Sequence, residues 1–324
     1  MRGLTSSLLL LCSLLTLAAA GAARAAAVTE VATLATPAHA GSVVLAKTGR
    51  LAAADCADGK LRLWSIPDGR LQREIDLARR HIDALALTAD GSRIAAADHG
   101  GALTIWDTST GATLAQLQMP FYPSAMAFSH DDRTLAIAAT GDSVQLINVD
   151  SGRKLLELQR PVGGTTAVTF SRDDRRIGTA DADTVVRIYD ARSGALLAQN
   201  ANFLLEPFAV DFSADGRQLL AAGADEIIAA VDTSSGNVIR KSAKAVDPVA
   251  YLEVSADGRL LAAALMHAAN LTSPAPIVIS DMASGRTVQE WLPGSLFYGG
   301  TWTTDGRLLV ATASEKALHI WRVR

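Results

Sequence analysis

The sequence is poor in the residues that build cysteine-based sites. It has two cysteines, and Cys12 lies in an apolar N-terminal segment, so a chain processed after residue 27 keeps only Cys56. A single cysteine cannot form an intramolecular disulfide, a c-type haem attachment or a Cys-x-x-Cys zinc site. The six histidines include no closely spaced pair. The sequence therefore predicts no cofactor and no metal site.

Basic stripes and catalytic motifs are also missing. The 30 lysines and arginines stand against 33 acids, giving a net charge of −3, and the cations do not cluster. Nucleic acid is therefore not expected as a partner. There is no glycine-rich phosphate loop that opens a helix and no G-x-S-x-G elbow. We expect a protein without catalytic activity.

Only one long apolar run is present, and it lies at the N-terminus. Residues 1–27 contain Arg2, an apolar stretch over 8–20 and then small residues that fit an A-x-A cleavage pattern up to Ala25-Ala26-Ala27. The stretch is short for a membrane helix of about 20 residues. We interpret residues 1–27 as a signal peptide cleaved near Ala25–Ala27, and a retained anchor is the alternative. The mature protein is then periplasmic or secreted and has no membrane span.

A turn of the Asp-Gly-Arg type recurs through the rest of the chain. Its seven copies are spaced by five steps of 41 or 42 residues and a last step of 48. Short apolar runs of strand length lie between the turns, four to a unit. A period of about 42 residues with four strands is typical of a β-propeller blade. The turns lie at 48–50, 90–93, 131–133, 173–175, 215–217, 257–259 and 305–307.

The repeats resemble those of the WD-repeat family. Trp106-Asp107 keeps the signature dipeptide, and Tyr189-Asp190 and Val231-Asp232 keep its acid. The family also has an aspartate six residues before the tryptophan position, which Asp58, Asp183 and Asp225 match. The resemblance covers roughly residues 28–324. It implies an all-β, seven-bladed propeller of four-stranded antiparallel blades, in which these residues have structural roles: Asp58, Trp64, Trp106, Asp107, Asp183, Tyr189, Asp190, Asp225, Asp232 and Trp321.

The last unit lacks a fourth strand. The chain ends with residues 318–324, which correspond to the third strand of unit seven. Apolar residues alternate over 28–34, as they do in a strand with one buried face. We predict that this first mature strand pairs as the outer strand of the last blade. The pairing closes the ring and removes exposed sheet edges.

Departures from a repeat indicate where a propeller carries its function. Residues 266–276 lengthen one loop of unit six, and the connections between units hold aromatic residues at 121–123, 203–208 and 296–298. These segments are expected to emerge on one face. Either they plug the channel mouth and cap the first strands, or they bind a partner. The predicted partner-binding residues are Phe121, Tyr122, Phe203, Leu204, His267, Asn270, Phe297 and Tyr298.

These observations predict a non-catalytic interaction scaffold. We expect a rigid ring, monomeric by itself, that binds a protein or peptide partner through loops on one face. The alternative is a propeller enzyme, or an accessory subunit of a periplasmic redox enzyme, with a ligand in the axial channel.

Overall fold

The fold is a closed ring of seven sheets. The computed structural model describes residues 28–77, 81–139, 141, 143–159, 161–242, 245, 247–266, 274, 276–314 and 317–323. This part of the chain forms 28 strands in seven four-stranded antiparallel sheets. The predicted seven-bladed propeller is confirmed. The predicted signal peptide lies outside the described residues, and no helix able to cross a membrane occurs within them.

Six blades are built from consecutive strands that run from the axis outward. The first strand of each blade contacts the first strand of the next, so these strands surround the axis. The first strand of the chain, β1 Val28–Ala35, belongs to the seventh blade. The strands of the first six blades are, blade by blade, β2 Ala40–Leu45, β3 Leu51–Cys56, β4 Lys60–Ser65, β5 Leu71–Asp76; β6 Ile82–Leu87, β7 Arg93–Asp98, β8 Ala102–Asp107, β9 Thr113–Gln118; β10 Pro123–Phe128, β11 Thr134–Ala139, β12 Gln145–Asn148, β13 Lys154–Glu157; β14 Thr165–Phe170, β15 Arg176–Asp181, β16 Val186–Asp190, β17 Leu196–Asn200; β18 Pro207–Phe212, β19 Gln218–Gly223, β20 Ala229–Asp232, β21 Val238–Lys241; β22 Val249–Val254, β23 Leu260–Leu265, β24 Ile277–Asp281, β25 Thr287–Trp291.

The seventh blade joins the two ends of the chain. Its strands from the axis outward are β26 Leu296–Trp302, β27 Leu308–Ser314, β28 Ala317–Val323 and β1 Val28–Ala35. Strand β1 pairs antiparallel with β28, from Val28 opposite Val323 to Ala35 opposite Ala317. This is the ring closure predicted from the alternating N-terminal segment. It buries Leu34 completely against the core between the first and last blades.

The recurring Asp-Gly-Arg turn joins the first and second strands of a blade. In blade five, Ser213 Oγ donates to Asp215 Oδ1 at 2.7 Å, and the Gln218 amide donates to Ser213 Oγ at 3.0 Å. Gly216 follows with a φ of 69°, a conformation that glycine adopts without strain. Polar side chains thus satisfy the turn backbone locally, which explains why the motif recurs at each blade.

The core lies between neighbouring blades rather than within one. Ala53, Leu61 and Leu63 of blade one pack with Ile94 and Ala96 of blade two in a single buried cluster. The second strands carry alanines at these positions because small side chains allow adjacent sheets to approach closely. The alanines of the second strands are therefore a packing feature.

Candidate partner-binding face and axial channel

Strand order brings two sets of loops to one end of the ring. Strands alternate in direction within a blade, so the outer strand ends where the next inner strand begins. The loop between the second and third strands emerges at the same end. We call this end the loop face. It comprises the inter-blade connections, such as those after β9, β13 and β17, and the loops between second and third strands.

Large apolar side chains are exposed on three successive connections of the loop face. Tyr122 follows β9 and is 55% exposed, and Val162 follows β13 and is 80% exposed. Leu204 and Leu205 follow β17 and are 81% and 52% exposed. We call Tyr122, Val162, Leu204 and Leu205 the apolar loop-face residues. Tyr122 and Leu204 were predicted from the sequence, whereas Val162 and Leu205 were not.

Two of the predicted surface aromatics are buried. Phe121 and Phe203 are each only 7% exposed. Phe121 packs in the core between blades two and three, and Phe203 packs in the core between blades four and five. Their place in the predicted binding surface is therefore corrected, since their rings cap the ends of the blades. The alternative interpretation, that these aromatic residues cap the strands, therefore applies to Phe121 and Phe203.

The other predicted aromatic pair belongs to a strand rather than to a connection. Phe297 and Tyr298 lie in β26, the inner strand of blade seven, and both are half-buried. The Phe297 ring lies 5.2 Å from that of Tyr251, and Tyr298 Oη lies 3.3 Å from His39 Nε2. They face neighbouring blades near the mouth of the channel. His267 and Asn270, also predicted to bind a partner, lie outside the described residues.

Two of the motif aspartates pair with an arginine on the next strand. Arg62 of β4 is buried, and its Nη1 donates to Asp58 Oδ1 at 2.9 Å while its Nε donates to Glu74 Oε1 at 2.7 Å. These bonds join the loop to the third and fourth strands of blade one. The hydrogen bond from Arg62 lowers the pKa of Asp58. Asp225 forms a simpler contact, since its Oδ1 accepts from the Ile227 amide at 3.3 Å.

The matching network in blade four contains a fully buried carboxylate. Arg187 donates to Asp181 Oδ2 at 2.6 Å and to Asp183 Oδ2 at 2.7 Å. Asp181 also accepts from Thr165 Oγ1 at 2.6 Å and from Thr179 Oγ1 at 3.0 Å. Burial raises the pKa of Asp181, while the hydrogen bonds from Thr165 and Arg187 oppose that rise. Arg187 therefore stabilises a carboxylate that would otherwise be costly to bury.

The acids of the signature dipeptide end the third strand of their blades and accept hydrogen bonds from the turn that follows. Asp107 Oδ1 accepts from Ser109 Oγ and the Thr110 amide, both at 2.7 Å. Asp190 and Asp232 each accept hydrogen bonds from the backbone amides two and three residues later. Hydrogen bonds from the turn serines lower the pKa of Asp232 to about 2. These acids therefore stabilise the turns between the third and fourth strands.

The aromatic motif residues pack between blades. Trp64 and Tyr189 are 1% exposed and Trp106 is 8% exposed, each within a cluster shared with a neighbouring blade. Trp321 is half-buried and donates its Nε1–H to Thr312 Oγ1 at 2.9 Å. The aromatic residues at these positions of the repeat therefore contribute to packing.

The axial channel has two linked carboxylates on its wall. A cavity of about 330 Å³ is lined by the inner strands and includes Lys47, Asp211, Tyr251 and Glu253. The Val254 amide of blade six donates to Asp211 Oδ2 at 2.7 Å. One blade further on, Glu253 Oε2 accepts from the amide of Trp302, at 3.1 Å.

Each carboxylate therefore joins its blade to the inner strand of the next. Tyr251 Oη also donates to Glu253 Oε2 at 2.5 Å, and Lys47 Nζ lies 3.5 Å from Glu253 Oε1. Burial raises the pKa of Asp211 to about 6, and the nearby charge of Glu253 adds to the rise.

An arginine lies at the end of the channel that is remote from the loop face. Arg172 follows β14 of blade four and donates to carbonyl oxygens of blade six, at 2.7 Å to both Ser255 and Ala256. Its side chain thus passes over blade five. The contact ties two non-adjacent blades together at the end remote from the loop face.

The pKa of Asp211 makes stability depend on pH. Its pKa is about 6 in the folded chain against an ordinary 3.8, so the folded state binds the proton more tightly. The stabilisation is full below pH 4 and is lost as the pH rises through 6, a change of about 3 kcal/mol. Relative to the parent chain, Asp211→Asn should become more stable by that amount between pH 4 and pH 8, measured by urea unfolding.

A turn aspartate provides the control for this prediction. The pKa of Asp215 is lowered, mainly by the hydrogen bond from Ser213, so Asp215→Asn should show the opposite pH trend. If Asp211→Asn and the parent chain keep a constant stability difference from pH 4 to 8, the assignment to Asp211 is wrong.

Sequence reasoning missed most of the polar residues that join strands or blades. Arg62 and Arg187 join strands within one blade, whereas Asp211 and Glu253 link neighbouring blades. Glu74, Val254 and Trp302 are separated from their partners by a strand or a blade, so composition and spacing cannot reveal these contacts. An arginine four residues after the motif aspartate was the one available signal, at Asp58–Arg62 and Asp183–Arg187.

Comparison with known proteins agrees with the repeat and the fold. No protein-family profile matches the chain. The chain is similar to the small ribosomal subunit protein RACK1y of Oryza sativa subsp. japonica, a WD-repeat protein, with 26% identity over 105 residues. The alignment spans 32% of this chain and 31% of the rice protein. The repeat, the seven-bladed ring and this similarity together support a WD-repeat β-propeller.

Proposed function

We propose that this chain is a non-catalytic scaffold that binds a protein or peptide through its loop face. The observation that carries the proposal is the exposure of Tyr122, Val162, Leu204 and Leu205 on three successive connections. Isolated apolar residues on a surface are ordinary, but several large ones at the same end of a ring are typical of a docking site.

The buried phenylalanines support this proposal by fixing the connections. Phe121 precedes Tyr122, and Phe203 precedes Leu204, so each exposed side chain follows a residue anchored in the core between blades. Tyr122 also stacks on His99, with ring centres 4.5 Å apart. A surface held rigid before binding loses less conformational entropy when a partner docks.

The hydrogen bonds of the channel carboxylates support a non-catalytic function. Asp211 and Glu253 accept backbone amides of the next blade, and Glu253 also accepts from Tyr251. A carboxylate used in this way holds two blades together. This argues for a structural role rather than for acid–base chemistry in the channel.

The proposed location is the periplasm or the cell exterior. It rests on Arg2, the apolar stretch at 8–20 and the small residues before 28. We further propose that the protein is monomeric before it meets its partner. The mass of the chain recovered from the periplasmic or secreted fraction tests export, with a start near residue 28 as the supporting result and a start at Met1 as the contrary one.

Charge introduced at the loop face should abolish binding. In Val162→Glu/Leu204→Glu, two exposed apolar contacts become carboxylates, and each lost anchor costs about 2 kcal/mol if it is central to the interface. Recovery of the partner in crosslinked co-purification from the native host should fall at least about ten-fold.

A matched control uses the outer strands. Ile239 and Val288 are 53% and 44% exposed on the circumference of the ring, away from the loop face. Ile239→Glu/Val288→Glu should retain the partner. Equal loss of the partner in both variants, or none in either while melting is unchanged, would contradict docking at the loop face.

A further inference from the structure

Three potential metal ligands meet at the loop-face end of blade two. His81 immediately precedes β6, Asp83 lies within it, and His99 lies in the loop between β7 and β8. The register shifts at Asp83, between Ile82 and Ala84, so this β-bulge rather than regular strand alternation brings Asp83 to His81. Ile82 pairs with Asp98, so the antiparallel register sets His81 opposite His99.

The two imidazoles lie on the two oxygens of one carboxylate. His81 Nδ1 lies 3.4 Å from Asp83 Oδ1, and His99 Nδ1 lies 3.3 Å from Asp83 Oδ2. Asp83 Oδ2 is shielded from solvent and accepts no hydrogen bond from the described residues. Because a shielded carboxylate oxygen without a hydrogen bond is unfavourable, a cation bound beside it would stabilise this carboxylate.

These separations fit the spacing of ligands around a metal ion. Nitrogen and oxygen ligands lie about 2.0–2.2 Å from Zn²⁺, which sets tetrahedral neighbours about 3.3–3.6 Å apart. As they are arranged in the structure, no three His, Cys, Asp or Glu side chains of the described residues could hold a metal ion, so ligand binding here requires the imidazoles to turn. His81 and His99 are 83% and 73% exposed, so their rings can rotate towards a shared ion without disturbing the core.

We propose that His81, Asp83 and His99 bind one divalent first-row transition-metal ion, with Zn²⁺ as the probe. Imidazole nitrogen with a carboxylate oxygen is a donor set that such ions favour over Mg²⁺ or Ca²⁺. Three protein ligands leave a position for water or for a side chain of a partner. Tyr122 stacks on His99, and the ion satisfies Asp83 Oδ2.

Calorimetric titration of the untagged protein with Zn²⁺ tests the proposal. We expect one Zn²⁺ per chain and no measurable binding of Mg²⁺. His99→Ala and Asp83→Asn should each weaken Zn²⁺ binding at least about ten-fold. His99 is exposed, so unchanged melting of His99→Ala in the absence of metal will show that the fold is intact.

Another acid-paired histidine supplies the control. His319 Nδ1 lies 2.7 Å from Glu30 Oε1 in blade seven, and His319→Ala should leave Zn²⁺ binding unchanged. The proposal is overturned if the parent chain shows no saturable Zn²⁺ binding. It is equally overturned if His99→Ala binds Zn²⁺ as the parent does, or if Mg²⁺ competes with Zn²⁺ at equal concentration.

Discussion

Removal of strand β1 is expected to destabilise the propeller by about 5 kcal/mol or more. The strand supplies the outer ladder of blade seven and buries Leu34 and Ala32 in the core between the first and last blades. Without it, β28 becomes an exposed edge, and the N-terminal and C-terminal segments no longer share a sheet. Urea unfolding of a chain lacking residues 28–36 measures the effect.

Point variants within β1 distinguish the stability contributed by its side chains from that contributed by its pairing with β28. Leu34→Ala should cost about 2–5 kcal/mol, because Leu34 is completely buried. Thr29→Ala, at an exposed position of the same strand, should change stability by less than about 0.5 kcal/mol. A synthetic peptide of residues 28–36 added to the shortened chain should restore stability. A shortened chain as stable as the parent would show that β1 does not close the ring.

Loss of Arg187 is expected to be the most damaging single substitution among the polar residues. Arg187→Met leaves Asp181, whose side chain is 0% exposed, with the two threonine hydroxyls as its remaining side-chain donors among the described residues. Breaking a buried ion pair from one side costs about 3–5 kcal/mol. Burial already raises the pKa of Asp181, so the deficit should shrink at acidic pH, where the carboxyl takes up a proton.

Two further variants test this interpretation of blade four. Asp181→Asn/Arg187→Met removes both charges and should recover part of the lost stability. Arg62→Met in blade one should cost less, because its partners Asp58 and Glu74 are 33% and 36% exposed. Chemical denaturation of the three variants at pH 5 and 8 gives the comparison. Equal losses at both pH values, with no recovery in the double variant, would mean that the carboxylate of Asp181 is not the cause.

The ring architecture could be predicted because its signals are local. Turns held by Ser213, Asp215 and their equivalents require particular residues at fixed spacing, so the period survives in the sequence. The alternation of residues 28–34 likewise indicates one buried face, and closure of the ring follows from the missing outer strand.

The binding surface was harder to predict because exposure depends on register. Phe121 and Tyr122 are adjacent, yet one is buried in the core and the other is 55% exposed. A shift of one residue exchanges inside and outside on an extended chain, and composition does not report such a shift. Phe297 and Tyr298 were assigned to a connection because aromatic content alone does not distinguish a loop from an inner strand.

Contacts between strands, and contacts between blades, could not be predicted from sequence spacing. His81 and His99 are 18 residues apart, and only the pairing of Ile82 with Asp98 sets them opposite each other. Arg172 reaches across blade five to Ser255, which no repeat pattern indicates. Such contacts depend on the fold, so they can be identified only once the fold is known.

A disulfide between β1 and β28 is the most direct test of the closed ring. Thr33 lies opposite His319 in the antiparallel ladder, where paired Cα atoms are about 4.5–5.5 Å apart, within reach of a disulfide. In a Cys56→Ser background, Thr33→Cys/His319→Cys should form an intrachain disulfide on mild oxidation, detected by peptide mass spectrometry. Thr29→Cys/Ala317→Cys, which is out of register, should remain reduced. Failure of the paired cysteines to join, or equal oxidation of both pairs, would contradict a seven-bladed ring closed by its first strand.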